Sequence, residues 1–210
     1  MKYRIFEIFD SLEGEGKRTG LPASFVRLSG CNLKCDWCDT EKSQDGKFFT
    51  LMSISEILDK VNNSYTRVTL TGGEPLMHKD IDLLISALAK NNEVNIETNG
   101  SMGITPFKQQ NVFFTIDYKL PSSGQTSKMF LDNYKQLTAN DVLKFVIAGK
   151  EDIDCMLEFL NSNINIPAQI YLNAVYDKMD LKTLSNLIIT TPLLTNAKLG
   201  IQLHKLIGIR

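Results

Sequence analysis

A chain of 210 residues with 43% hydrophobic content can bury one core of ordinary size and is short for two. Its net charge of -1 excludes a broad electrostatic footprint on a phosphate backbone, so no nucleic-acid partner is expected. No apolar run approaches the about 20 residues that span a bilayer, and Met1-Lys2-Tyr3-Arg4 leads into alternation rather than a signal core. We therefore expect a single domain over residues 1–210, with no membrane contact and a cytoplasmic setting.

Tyr3 to Phe9 alternates loosely and predicts a first strand. In Leu12-Glu13-Gly14-Glu15-Gly16, two glycines allow a tight turn that presents two carboxylates. On composition alone this is a solvated acidic turn. Ser24 to Ser29 predicts the next strand, and Arg27 within it has apolar neighbours. A guanidinium there needs an anionic partner, either Glu15 or a carboxylate brought by a substrate.

Gly30 then leads into Cys31-Asn32-Leu33-Lys34-Cys35-Asp36-Trp37-Cys38, which holds three of the four cysteines. Thiols at this spacing on one loop can grip three corners of a soft metal centre, and reduced cysteines fit an intracellular setting. A structural zinc site normally closes with four protein ligands, whereas this knot has three. The fourth cysteine, Cys155, sits in a helix-like segment with apolar neighbours and is expected to be a small half-buried side chain.

After the polar stretch Glu41 to Lys47, Ser53-Ile54-Ser55-Glu56 has capping-box spacing and starts a helix to Val61. Val68 to Thr71 predicts a strand that runs into Gly72-Gly73-Glu74-Pro75, and Asp80 to Lys90 a helix with Ile81, Leu84, Ile85 and Leu88 on one face. Further strands are expected at Val94–Glu97, Val112–Asp117, Val142–Ile147, Ile170–Val175 and Leu199–Leu203, with helices near 127–136, 151–161 and 180–189. The interval from Glu97 to Val112 contains Gly100, Gly103 and Pro106 and should lack a full helix. Short apolar strands alternating with amphipathic helices signal a parallel sheet packed by helices. Eight such units need about 250 residues. The expected class is α/β, an incomplete, open TIM-like barrel with a mainly parallel sheet. The cysteine loop, the Gly-Gly-Glu segment, Thr98-Asn99-Gly100 and Asp117 to Gly124 all follow strands, at the end where barrels build sites.

Cys-x3-Cys-x2-Cys with an aromatic before the last cysteine resembles the cluster loop of the radical S-adenosylmethionine (SAM) superfamily, and Thr71 to Pro75 resembles its GGE motif. The resemblance implies a radical SAM core in which Cys31, Cys35 and Cys38 hold a 4Fe-4S cluster and SAM covers the remaining iron. It further implies that Gly72, Gly73 and Glu74 receive the cofactor's amino group, with Trp37, Asn99, Lys119, Ser122, Ser123 and Asn173 completing the cofactor site. An electron donor of flavodoxin-like or ferredoxin-like type is implied as well.

Within the superfamily, several further residues resemble the 7-carboxy-7-deazaguanine synthase family. They are Glu13-Gly14-Glu15-Gly16, Arg27, Cys38-Asp39-Thr40, Asp117-Tyr118-Lys119, Pro121-Ser122-Ser123 and Gln202-Leu203-His204-Lys205. That likeness implies a lyase of the queuosine pathway that contracts 6-carboxy-5,6,7,8-tetrahydropterin to 7-carboxy-7-deazaguanine and expels ammonia, acting as a homodimer. It assigns Mg2+ to Thr40, and the pterin to Leu12, Glu13, Gly14, Glu15, Gly16, Arg27, Thr71, His204 and the carboxylate of Arg210. An Arg suits the pterin carboxylate and a Glu its guanidine-like edge. Two positions depart from the family pattern: Glu13, commonly Gln, and Asn173-Ala174, often Gln-Pro. Rival readings are a glycyl-radical activating enzyme, which shares the cysteine spacing, and a non-catalytic zinc module closed by Cys155.

Overall fold

The computed structural model describes residues 1–163 and 165–209. Its strands are β1 (Tyr3–Leu12), β2 (Pro22–Leu28), β3 (Thr50–Met52), β4 (Arg67–Gly72), β5 (Glu93–Thr98), β6 (Val112–Asp117), β7 (Val142–Ile147), β8 (Gln169–Ala174) and β9 (Lys198–Gly200). They join in one sheet of order β3-β1-β2-β4-β5-β6-β7-β8-β9. From β2 onward every pair is parallel; only β1 runs antiparallel, to β2 and β3. The two ends of the sheet do not pair, so the barrel is open, as expected.

The helices are α1 (Glu41–Gln44), α2 (Ile54–Leu58), α3 (Ile81–Ala89), α4 (Asp132–Lys135), α5 (Lys150–Ser162), α6 (Leu181–Thr190) and α7 (Leu203–Ile207). The box expected at Ser53 forms, with the Ser53 side chain on the Glu56 amide and the Glu56 carboxylate on the Ser53 amide. In α3 the buried positions Ile81, Leu84, Ile85 and Leu88 repeat at three and four residues and face the sheet. No helix joins β5 to β6; a 3-10 turn at Thr105–Phe107 suffices. Among the described residues, no helix is long and apolar enough to cross a membrane.

Strand alternation divides the molecule into two chemistries. One set of side chains, including Val26, Leu28, Leu70, Ile96, Phe114, Leu143 and Phe145, is at most 1% exposed and belongs to the apolar core shared with the helices. The other set points into the barrel and is largely polar: Thr69, Thr71, Asn95, Thr115, Asp117, Lys144 and Asn173. Such an interior is stable only if its groups satisfy one another, as Thr115 Oγ1 does by donating to Asn95 Oδ1 over 2.9 Å.

The turn between β1 and β2 plugs the amino ends of the strands. Buried Arg18 donates to the carbonyls of Glu93 and Val68 and to Thr69 Oγ1, and Lys17 Nζ stands 3.4 Å from the centre of the Phe113 ring. The same turn bridges the open seam. Leu203 N donates to Gly14 O over 2.9 Å, and Gln202 Nε2 to Glu15 Oε1 over 2.6 Å. A Cβ on Gly14 would lie 2.1 Å from Nδ1 of His204, so any larger residue there must displace that ring.

Three expectations need correction, and one strand was not foreseen. The helix that starts at Ser53 ends at Leu58 rather than Val61. The segment near 127–136 forms only a 3-10 turn (Thr126–Lys128) and the single turn of α4. There Asn133 is spent on tertiary bonds, donating to Gly100 O and Met102 O and accepting from Ile104 N. The last strand stops at Gly200, and His204 lies in α7 rather than in a strand, because the chain turns there to meet Gly14. The edge strand β3 had no periodic signal in its three residues.

Leu70→Ala, at a fully buried position between sheet and helices, is expected to cost about 3 kcal/mol. Urea denaturation checks this, and a loss below about 1 kcal/mol would show that the helix layer can collapse around the gap.

Candidate active site

A cavity of about 420 Å³ opens at the carboxyl ends of the parallel strands. Cys31, Cys35 and Cys38 line it, and each is a free thiol. Their loop is held from three sides. From α1 and its end, Ser43 O and Gln44 O accept from Gly30 N and Cys31 N at 2.6 and 3.0 Å. From the β4 loop, Glu74 N donates to Gly30 O at 2.9 Å. From the segment after β6, Trp37 Nε1 donates to Ser122 Oγ at 3.0 Å and Gln125 Nε2 to Lys34 O at 2.9 Å.

Gly72 and Gly73 also line the cavity, and their lack of side chains is required by packing. A Cβ on Gly73 would lie 2.1 Å from Gly30 O, and Gly72 has φ +146 with Leu28 backbone equally close. The backbone of the expected Gly-Gly-Glu contact lines the cavity, with the Glu74 carboxylate beneath it. That carboxylate is fully buried and braces two loops, accepting from Leu76 N at 3.0 Å, Thr98 Oγ1 at 2.8 Å and Asn99 N at 2.7 Å. Burial outweighs these bonds and pushes its pKa up to about 7. Asn99 Nδ2 reaches Cys31 Sγ at 3.6 Å and Asn32 Oδ1 at 3.0 Å.

Burial raises the thiol of Cys31 and takes that of Cys35 up to about 11, against the pull of Lys119. Without a metal these thiols stay protonated, so loading a metal centre must release protons. Among the described residues no three His, Cys, Asp or Glu side chains converge closely enough to hold a single ion. A cluster in which each sulfur takes a different iron asks only for thiols around a shared space, which is the arrangement found. Cys155 lies off this wall, on α5 against the apolar core.

The opposite wall carries Leu12, Glu13, Gly14, Glu15, Arg27, Thr71 and His204. Of the two partners considered for Arg27, Glu15 is not the one it meets. Arg27 Nε binds Glu7 Oε1 at 2.9 Å, its direct neighbour across the β1–β2 ladder. Glu15 instead meets Lys144 Nζ at 3.2 Å and Gln202 Nε2 at 2.6 Å. Glu13, 2% exposed, is tied to Arg18 and Thr69, and its pKa is raised by burial although Arg18 opposes this. Its carboxylate is thus taken up inside the barrel floor. Thr40 lines the cavity with its hydroxyl 2.9 Å from Asp39 Oδ1.

Four other expected contacts stand back from the wall. Ser122 acts through Trp37; Ser123 is buried and donates to Leu120 O; Gly16 sits in the plug turn. Asn173 lies behind Glu15, donating to Oε2 at 3.4 Å. Arg210 lies outside the described residues.

Lys144 and Glu97 line the cavity and were not singled out from the sequence, and Asp117 was noted only within the Asp117-Tyr118-Lys119 motif. Asp117 binds Lys119 at 2.5 Å and Lys144 at 3.3 Å, and although burial favours its neutral form these two cations hold its pKa below the ordinary range. The signal that pointed to Arg27, one charge inside an apolar strand, applies equally to Lys144 in Val142-Leu143-Lys144-Phe145.

The Radical SAM superfamily model matches residues 25–116. A 7-carboxy-7-deazaguanine synthase from Clostridium acetobutylicum is 36% identical over 215 residues, covering 99% of this chain and 96% of the relative. One from Methanospirillum hungatei is 35% identical, with 98% and 86% covered. Among solved structures, QueE from Escherichia coli superposes with TM-score 0.78 at 26% identity, over 96% of this chain and 94% of that one. Streptococcus suis SuiB bound to S-adenosylmethionine shares the fold alone, with TM-score 0.55 at 17% identity over 81% of this chain and 44% of its own.

Gly73→Ala is expected to displace the Gly30–Cys31 backbone, so that reconstituted protein holds less than half the iron and sulfide of wild type. A second expectation concerns pH. Because folded Glu74 has a pKa near 7 against 4.5 for the free group, the folded state binds the extra proton between these values, and stability falls as pH rises from about 4.5 to about 7. Urea midpoints of cluster-free protein should fall across that window, and Glu74→Gln should flatten the slope.

Proposed function

This chain belongs to the 7-carboxy-7-deazaguanine synthase family of the radical SAM superfamily, and we propose how its own residues divide the work of that reaction. It is a lyase that converts 6-carboxy-5,6,7,8-tetrahydropterin to 7-carboxy-7-deazaguanine and ammonia. The carbon count is kept and one nitrogen leaves with three hydrogens, so there is no net redox change. The observation carrying the residue roles is that one cavity joins three thiols and a bare Gly-Gly backbone on one wall to Arg27, Thr71, Glu15 and His204 on the other.

Cys31, Cys35 and Cys38 would hold the 4Fe-4S cluster, and the chemistry of three free thiols around a shared space fits it. When bound and reduced, the cluster with SAM supplies homolysis of a sulfonium and, through it, hydrogen-atom abstraction. The exposed backbone at Gly72 and Gly73 suits the cofactor's ammonium, and Lys119 is a cation suited to its carboxylate. Trp37 supplies a ring face, with Lys119 Nζ 5.1 Å from its centre. Asn99 joins this wall, while Glu74, Ser122, Ser123 and Asn173 act through the residues they brace. Thr40 offers a hard oxygen for Mg2+ at the junction of the two walls.

Arg27 orients the pterin carboxylate, with Glu7 fixing the guanidinium through Nε. Glu15 takes the guanidine-like edge, while Gly14, Leu12, Thr71 and His204 shape the rest of the pocket. The Glu13 carboxylate is held by Arg18 and Thr69 through Oε1, and its backbone and those of its neighbours face the ligand. We place the working enzyme in the cytoplasm as a homodimer, reduced by a flavodoxin-like or ferredoxin-like protein.

Anaerobically reconstituted protein with SAM and a chemical reductant is expected to turn over the carboxypterin to a product of the deazaguanine's mass and absorbance. Arg27→Met should raise KM for the pterin at least tenfold. Omitting Mg2+ should lower kcat/KM, and Thr40→Val should shrink the difference between the two conditions. Cleavage of SAM with no deazapurine would instead favour an activating enzyme.

A further inference from the structure

Lys144 stands midway along β7 with its side chain 16% exposed, its Nζ 3.2 Å from Glu15 Oε2 and 3.3 Å from Asp117 Oδ1. Burial works against its charge, but Asp117, Glu15 and Glu97 around it prevail and hold the ammonium well above the ordinary lysine range. It is therefore a fixed cation held between the carboxylates of Glu15 and Asp117.

The geometry around Glu15 gives that cation a purpose. A carboxylate has about four lone-pair directions. Three are taken by internal donors, from Gln202 at 2.6 Å on Oε1, and from Lys144 at 3.2 Å and Asn173 at 3.4 Å on Oε2. The fourth is left for the cavity that Glu15 lines. A carboxylate on a flexible two-methylene stem cannot hold one direction by itself.

We propose that Lys144 is a positioning residue for substrate recognition: it acts through Glu15, fixing the one carboxylate direction that meets the guanidine-like edge of the pterin. This rests on the assignment of Glu15 to that edge. Lys144 touches no reacting atom. Its effect should appear in the pterin's KM, should depend on Glu15, and should be restored by another cation of similar reach.

The test is a double-mutant cycle on reconstituted holoenzyme, varying carboxypterin at saturating SAM, with Lys144→Met, Lys144→Gln, Lys144→Arg, Glu15→Gln and the Lys144→Met/Glu15→Gln pair. Lys144→Met and Lys144→Gln are expected to raise KM at least tenfold while kcat changes less than threefold. Lys144→Arg should recover most of that loss. In the Glu15→Gln background, adding Lys144→Met should change KM by less than a further threefold. An unchanged KM in the neutral variants, or the same tenfold rise with Glu15 already replaced, would overturn the proposal. If Lys144→Met does not retain iron, Lys144→Gln, which keeps a donor without the charge, carries the same expectation. A wild-type enzyme that cleaves SAM but yields no deazaguanine would overturn the substrate assignment itself, a result separate from any difference among the variants.

Discussion

Charges placed inside a protein must answer one another, and here that requirement organises the barrel. Gln202, Glu15, Lys144, Asp117 and Lys119 form an unbroken line of donors and acceptors from the chain after β9 to the edge of the cysteine loop. Cations and carboxylates alternate along it, so each charge has a partner of opposite sign. The pocket that receives a polar pterin and a charged cofactor is thus already polar and ordered, and binding need not organise it.

The line works because the apolar chemistry is kept elsewhere. Leu70, Ile96, Phe114 and Leu143 alternate with the inward residues and give their burial to the helix layer. The barrel can then spend its interior on recognition. The cysteine loop depends on the same economy, since its shape comes from backbone bonds to α1, the β4 loop and the segment after β6 rather than from a core of its own.

The open parallel barrel, the capping box at Ser53, and the face of α3 were legible in the chain, because each rests on a local period or spacing. The three thiols and Arg27 were legible as well, because their chemistry narrows the residue types, and Gly72 and Gly73 through the motif they resemble. Partners were not. Arg27 answers to Glu7 because the antiparallel register sets them opposite, and Glu13 to Arg18 because the turn folds back under the strands. Both are facts of the third dimension. The final segment misled for a related reason: Leu199 to Leu203 reads as a strand by composition, yet the chain leaves the sheet at Gly200 and bends to reach Gly14.

That meeting has a consequence for cooperativity. Gln202 and Glu15 lie 187 positions apart, and Leu203 joins Gly14 beside them, so the wall bearing Glu15 stands only when both sides of the open sheet are folded. Closing so long a loop costs entropy that local contacts alone do not offset. Loosening the segment after β9 therefore loosens the pocket wall as well, although the two are far apart in the chain.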